Sequence, residues 1–135
     1  MNNINDLRIV NCTSDYWEFV RNLRNNPQVQ DGFIENVKIS PEEQITYMEK
    51  NEENYRICLL EFIPVGYFGV IENDIRICTL PEYQNQGIGK FMLSELKKIW
   101  PNAVAKIKVN NSASIALFQK SGYSESFIIL ENKNS

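Results

Sequence analysis

The stretch DIRICTLPEYQNQGIGKFMLSEL, Asp74 to Leu96, changes its period part-way. From Ile75 the residues alternate, with Ile75, Ile77 and Thr79 on one side and Arg76, Cys78 and Leu80 on the other, which reads as a strand. Pro81 ends it. From Gly87 onward Ile88, Met92, Leu96 and Ile99 recur at helical spacing until Trp100-Pro101 closes the segment. Between strand and helix lies Gln84-x-x-Gly87-x-Gly89, backbone with few side chains at the positive end of a helix dipole, which suits an anion. A Walker loop requires glycine at position 84 and Ser or Thr at 91, and a dinucleotide fingerprint requires glycine at 92. Gln84, Phe91 and Met92 exclude both. Two readings stay open: an anion-binding turn, or a turn whose glycines only permit close packing.

On the N-terminal side, Leu7 to Asn11 is a strand candidate, and Tyr16, Phe19, Val20 and Leu23 have helical spacing. Thr13 or Ser14 is the expected cap and Asn26-Pro27 the stop. Ser40, Pro41 and Glu43 form a capping-box signature for a second helix, after an irregular connection over 27–38. YRICLLEF from Tyr55 and VGYFGVI from Val65 predict a hairpin with Pro64 near its turn. Glu72, Asn73 and Asp74 predict the next turn. Downstream, Val104 to Val109 alternates like a strand, Ser112 to Ser121 reads as a short helix capped by Gly122, and Ser126 to Glu131 is the last predicted strand. Trp17, Tyr67 and Phe68 are assigned to the core. The order predicts one α/β (mixed α+β) layered domain over residues 1–135.

Composition narrows the function. The chain has 135 residues, a formal charge of −3 and a pI near 5.0, which argues against a dedicated nucleic-acid binder. With neither an N-terminal basic-apolar leader nor a long apolar run, a cytoplasmic protein without a membrane span is expected. Cys12, Cys58 and Cys78 are odd in number and widely spaced, so reduced thiols and no metal site are expected. Histidine is absent, so every Ser-His-Asp, Cys-His or His-metal scheme is excluded and proton transfer falls to other groups.

DIRICTLPEYQNQGIGK followed by NNSASIALFQKSGY resembles the GNAT superfamily of acetyl-CoA-dependent N-acetyltransferases. In that family a fourth strand leads into an Arg/Gln-x-x-Gly-x-Gly/Ala loop, and an asparagine after the fifth strand precedes a short helix ending in Gly-Phe or Gly-Tyr. Asn111, Ser114, Leu117, Phe118, Gly122 and Tyr123 supply the second signature. The resemblance implies a central, mostly antiparallel sheet flanked by about four helices, with acetyl-CoA as acetyl donor. It implies that the backbone of Gln84, Asn85, Gln86, Gly87, Ile88, Gly89 and Lys90 grips the diphosphate. The open edge of Ile77, Cys78 and Thr79 would pair with the pantetheine arm, with a backbone N–H at Thr79 or beside it aimed at the thioester oxygen. Asn111, Ser114 and Phe118 would contact the same arm.

The pattern leaves several roles open. Where many members carry a tyrosine acid, this chain has Phe118, whose ring has no proton to give. Solvent, another hydroxyl such as Tyr123 or Ser114, or an unprotonated thiolate would take its place. Asp74 stands where some members carry a glutamate base, with Glu72 the second carboxylate nearby, while Asp74 also suits a plain turn residue. LRNNPQV with ISPEEQ is similar to members that acetylate amino-sugar nucleotides, which implies an acceptor site near Arg24 and Glu72. Lys106 and Lys108 share a face that meets either an anionic ligand or solvent. The expected partner is a small-molecule amine, with a homodimer in view because the C-terminal strands are short of the family pattern. A protein N-terminal or lysine acetyltransferase and a non-catalytic acyl-CoA-binding module are the alternatives.

Overall fold

The computed structural model describes residues 6–34 and 38–133. Four strands, β1 (Leu7–Asn11), β2 (Tyr55–Leu60), β3 (Ile63–Ile71) and β4 (Asp74–Thr79), form a sheet in sequence order. Every pairing in that sheet is antiparallel. The mixed α+β architecture expected from the sequence is present.

Strand alternation divides the core between the two faces of the sheet. Tyr55, Ile57, Leu59, Tyr67 and Cys78 point to one face and pack with Val20, Leu23, Val29 and Met48. These come from helices α1 (Trp17–Asn25), α2 (Pro27–Gln30) and α3 (Pro41–Asn51). Cys58, Leu60, Val65, Phe68 and Val70 point to the other face, where Ile88, Met92, Leu93 and Leu96 of helix α4 (Ile88–Ile99) and Phe118 of helix α5 (Ser112–Lys120) cover them. Both faces of β3 are therefore closed, which is why its run from Val65 to Val70 is buried without a break.

Local chemistry sets the element ends. The capping box forms as read: Ser40 Oγ accepts from the Glu43 N–H at 3.1 Å, and Glu43 Oε1 accepts from the Ser40 N–H at 2.9 Å. Asn26 does more than stop α1, because its side chain accepts from the Gln28 N–H at 2.8 Å and starts the short α2. The first helix departs from expectation at its start: a 3-10 turn over Ser14–Tyr16 precedes α1, with no side-chain cap. The β2–β3 turn falls at Glu61-Phe62, and Pro64 lies inside β3, beside a register shift that leaves Val65 unopposed. A proline is tolerated at such a bulge because the ladder is already interrupted. The next turn is the residue pair Glu72-Asn73, with φ of 50° and 68°, and Asp74 already belongs to β4.

Two predicted strands are not formed. Between Val104 and Val109 the only sheet contact among the described residues is a parallel bridge from Asp74 to Val104. Beyond that bridge the segment leaves β4 instead of following it, and its Lys108 ammonium bonds the Asp31 carbonyl at 2.9 Å on the far side. Ser126 to Glu131 makes no ladder either, and Phe127 is 92% exposed. Alternation marks residues able to line a strand, but pairing needs a neighbouring edge within reach.

Candidate active site

The glycine turn and the free edge of β4 form one continuous feature. The Ile75 N–H donates to the Val104 carbonyl at 2.8 Å, and the Val104 N–H donates to the Asn73 carbonyl at 2.9 Å. Ile75 thus directs its backbone groups away from β3. In an antiparallel pair this direction alternates, so Ile77 and Thr79 also point theirs outward, while Cys78 bonds to Tyr67 across the ladder. The Leu80 N–H, turned back to the Val65 carbonyl at 2.8 Å, confirms the parity. With the Val104 segment diverging, the outward N–H groups of Ile77 and Thr79 have no strand beside them among the described residues. The result is a V closed at Asp74–Val104 and open at Thr79.

The open end leads into the turn. After a 3-10 turn at Pro81–Tyr83, Gln84 Nε2 reaches back to the Thr79 carbonyl at 3.4 Å. Asn85 and Gly87 follow in left-handed backbone conformation, with φ of 64° and 85°. Gly87 caps α4, whose first backbone bond runs from the Phe91 N–H to the Gly87 carbonyl at 3.1 Å. The N–H groups of Ile88, Gly89 and Lys90 lie in the first turn, where no intrahelical acceptor exists. No acidic side chain stands in that turn. Gly89 is needed for packing as well: a Cβ there would lie 3.0 Å from Leu117 Cδ2 of α5. The packing reading of the glycines therefore holds for Gly89, while Gly87 takes the left-handed conformation that starts the helix.

Asn111 caps α5, its Oδ1 accepting from the Ser114 N–H at 3.2 Å, and its Nδ2 faces Gly32 after α2. Phe118 is buried in the core between α4, α5 and the sheet, so its ring is a packing element. At the other end of α5 the Tyr123 N–H bonds the Phe118 carbonyl and the Gly122 N–H bonds the Gln119 carbonyl, a Schellman cap with Gly122 at φ 97°. The Phe118 and Tyr123 rings complete it edge-to-face at 5.2 Å. Tyr123 is thereby committed to the helix end; its hydroxyl is buried without a partner among the described residues, and burial pushes its acidity down.

On the opposite face, beside β4, stand the candidate acceptor residues. Arg24 is half-buried at the end of α1 and Arg76 rises from β4 on the Cys78 side. Neither has an ion pair among the described residues, whereas Arg21 is held by Glu18 at 2.7 Å. The Arg24 charge is felt at Cys78, and both arginines are felt at Tyr55 and Tyr67. Burial dominates at Cys78, pushing its thiol up to about 12 despite Arg24. Asp74 lies at the closed end of the V, 3.2 Å from Lys106 Nζ. Glu72 is exposed on the neighbouring turn, at the end of β4 remote from Gln84. Sequence reading missed Arg76 because a lone arginine on a strand carries no local signal.

A family profile described as an acetyltransferase (GNAT) domain matches residues 42–125, which span β2 to β4, the glycine turn, α4 and α5. The chain belongs to the GNAT acetyltransferase family. As a family member it is an acetyl-CoA-dependent N-acetyltransferase, with acetyl-CoA as the acetyl donor. No curated protein matches the chain. Solved structures do. A domain from Methanocaldococcus jannaschii aligns with a TM-score of 0.75 and 25% identity, over 89% of this chain and 89% of that one. Spermidine N-acetyltransferase from Vibrio cholerae, solved with CoA and spermine, aligns with a TM-score of 0.80 and 18% identity, over 95% of this chain and 86% of that one. Ribosomal-protein-alanine N-acetyltransferase from Brucella melitensis gives 0.73 and 19%, over 89% and 86%.

Proposed function

We propose that this acetyltransferase acts on a primary amine of a small molecule, an amino sugar or amino-sugar nucleotide first among them, and that residues 1–135 form one domain working in the cytoplasm. The observation that carries the reading is the V between β4 and the Val104 segment, opening directly onto the Gly87 turn.

The N–H groups of Ile88, Gly89 and Lys90 take the diphosphate of acetyl-CoA, favoured by the helix dipole. Thr79, nearer the turn, pairs through its N–H with the pantetheine arm. Ile77, two residues deeper and so about 7 Å further along, directs its N–H at the thioester oxygen. Asn111 and Ser114 border the arm from the start of α5. Attack by the amine forms a C–N bond and breaks the C–S bond. Negative charge grows on the carbonyl oxygen meanwhile, and the Ile77 N–H is already in place to stabilise it. Asp74, on the acceptor side of the closed end, receives the ammonium proton through water. The thiolate leaves without a tyrosine acid, since Phe118 has no proton to donate.

Arg24 and Arg76 shape acceptor choice. Two cations without carboxylate partners repel a polyamine and attract an acceptor that carries a phosphate or carboxylate beside its amine. Glu72 marks the rim of the same side. The test is coenzyme A release by purified protein over amino-sugar nucleotides, uncharged amino sugars, polyamines and N-terminal peptides. Turnover confined to the anionic amino sugars supports the reading. Preference for polyamines or peptides replaces the acceptor class, and acetyl-CoA binding without release on any amine favours a binding module.

A further inference from the structure

Past α5 the chain has a feature that the reaction does not use. Its departure point is fixed: the Tyr123 N–H bonds the Phe118 carbonyl at 3.0 Å, and the two rings pack edge-to-face. Beyond it Phe127, Ile128, Ile129 and Leu130 follow one another at 92%, 84%, 75% and 89% exposure. Single exposed apolar residues are ordinary; four in a row form a patch. Phe and Ile favour extended backbone, and neither glycine nor proline interrupts residues 123–133. An uncovered segment of this composition is a template for another strand. Among the described residues no strand lies beside it.

We propose that residues 125–133 pair antiparallel with the same residues of a second copy of this chain, about a two-fold axis. Opposite residues of an antiparallel pair share a face, so identical strands related by a two-fold axis meet with one residue facing its own copy. Ile128 and Ile129 are the two central residues of the apolar run, and each defines one register. With Ile128 at the centre, Glu125 of each copy stands opposite Glu131 of the other, a like-charge pair at both ends. With Ile129 at the centre, Glu125 stands opposite Lys133, and Ile128 opposite Leu130. The second register joins opposite charges on either side of an apolar middle, which favours it over the first. Glu125 and Lys133 are exposed and have no ion pair among the described residues, so both are available. The charge pattern of the segment is thus complementary to itself, which is what selects a second copy as the occupant.

Size agrees with a dimer that forms and comes apart. Four side chains of this kind expose on the order of 400 Å² of apolar surface per copy. Two copies bring about 800 Å², and the flanking residues raise that toward the roughly 1,000 Å² at which a specific interface begins. A contact at the low end of that range belongs to micromolar affinities.

The test is sedimentation equilibrium of the full chain from about 1 to 100 μM, across which wild type should pass from monomer to dimer. Circular dichroism melts verify that each variant is folded. Glu125→Lys should raise the dimer dissociation constant about tenfold, because the pair at each end of the contact is lost. The double variant Glu125→Lys with Lys133→Glu should return it to within about threefold of wild type. Ile129→Cys under mild oxidation should give a disulfide-linked dimer, since facing Cα atoms lie about 5 Å apart. Leu130→Cys should not, because its two copies are diagonal neighbours at about 8 Å. Cys12, Cys58 and Cys78 are buried and do not compete. A wild type that stays monomeric at the highest concentration overturns the interface and assigns the apolar run to another occupant. A dimer that Glu125→Lys leaves unchanged overturns it as well. Cross-linking through Ile128→Cys in place of Ile129→Cys overturns the register.

Discussion

The Lys106 ammonium stands 3.2 Å from the Asp74 carboxylate at the point where β4 and the Val104 segment part. One carboxylate thus braces the apex of the V and is the base of the proposed reaction. Asp74→Asn separates the two roles. As a base, its loss should lower kcat by about 10²-fold at neutral pH, with the deficit shrinking as pH rises and the amine deprotonates by itself. A fall in melting temperature with kcat unchanged would assign Asp74 to the brace alone.

Ile77 offers a direct test of oxyanion stabilisation. Its N–H points away from β3, so Ile77→Pro removes that donor while sparing the ladder. Loss of one such donor should cost about 10²- to 10³-fold in kcat. Coenzyme affinity should change much less. If a folded Ile77→Pro protein keeps its kcat, the thioester oxygen is held elsewhere.

Gly87 adopts φ 85° at the cap of α4. Alanine in that region costs about 1 kcal/mol and tilts the first-turn N–H groups. Weaker acetyl-CoA binding by Gly87→Ala, measured by calorimetry, is the expected result. Unchanged affinity would remove the diphosphate from this turn.

Arg24→Ala should raise the KM for an anionic acceptor by about tenfold and leave the KM for acetyl-CoA unaltered, since the lost contact is a charge-assisted one on the acceptor side. An equal rise for both substrates would mean that Arg24 acts through the α1 packing instead.

Alkaline pH should unfold this protein. Burial pushes Cys12, Cys58 and Cys78 each up to about 12 from an ordinary 9.0. A raised value in the folded state means that the stability these thiols contribute is fully present below pH 9 and is lost as pH climbs toward 12. Urea midpoints at pH 8, 10 and 11 should fall in that order. At pH 8 the native thiols should react slowly with a disulfide reagent, and three fast-reacting thiols would contradict the burial.

Local signals in the sequence carried most of the frame. Ser40 and Glu43 are three residues apart, Gly122 follows its helix directly, and β4, turn and α4 are contiguous, so each was readable without knowing the rest of the fold. What escaped was non-local or too short. The four-residue α2 has no period to detect, and its cap, Asn26, doubles as the stop of α1. Val104 to Val109 alternates, but divergence from β4 is decided by contacts such as Lys108 to Asp31 across the molecule. Arg24 and Arg76 come within electrostatic reach of the same two tyrosines, Tyr55 and Tyr67, only when α1 packs on the sheet, and Lys120 and Lys90 line one cavity only when α5 packs on α4.

The outward N–H groups of Ile77 and Thr79 belong to the main chain, which every residue but proline supplies. An edge of that kind is indifferent to the identity of the side chains along it. The strand can drift through many substitutions while presenting the same row of donors, provided its splay and turn are kept. The Vibrio cholerae enzyme, alike at 0.80 in TM-score and at 18% in identity, shows how little spelling the fold as a whole has to preserve.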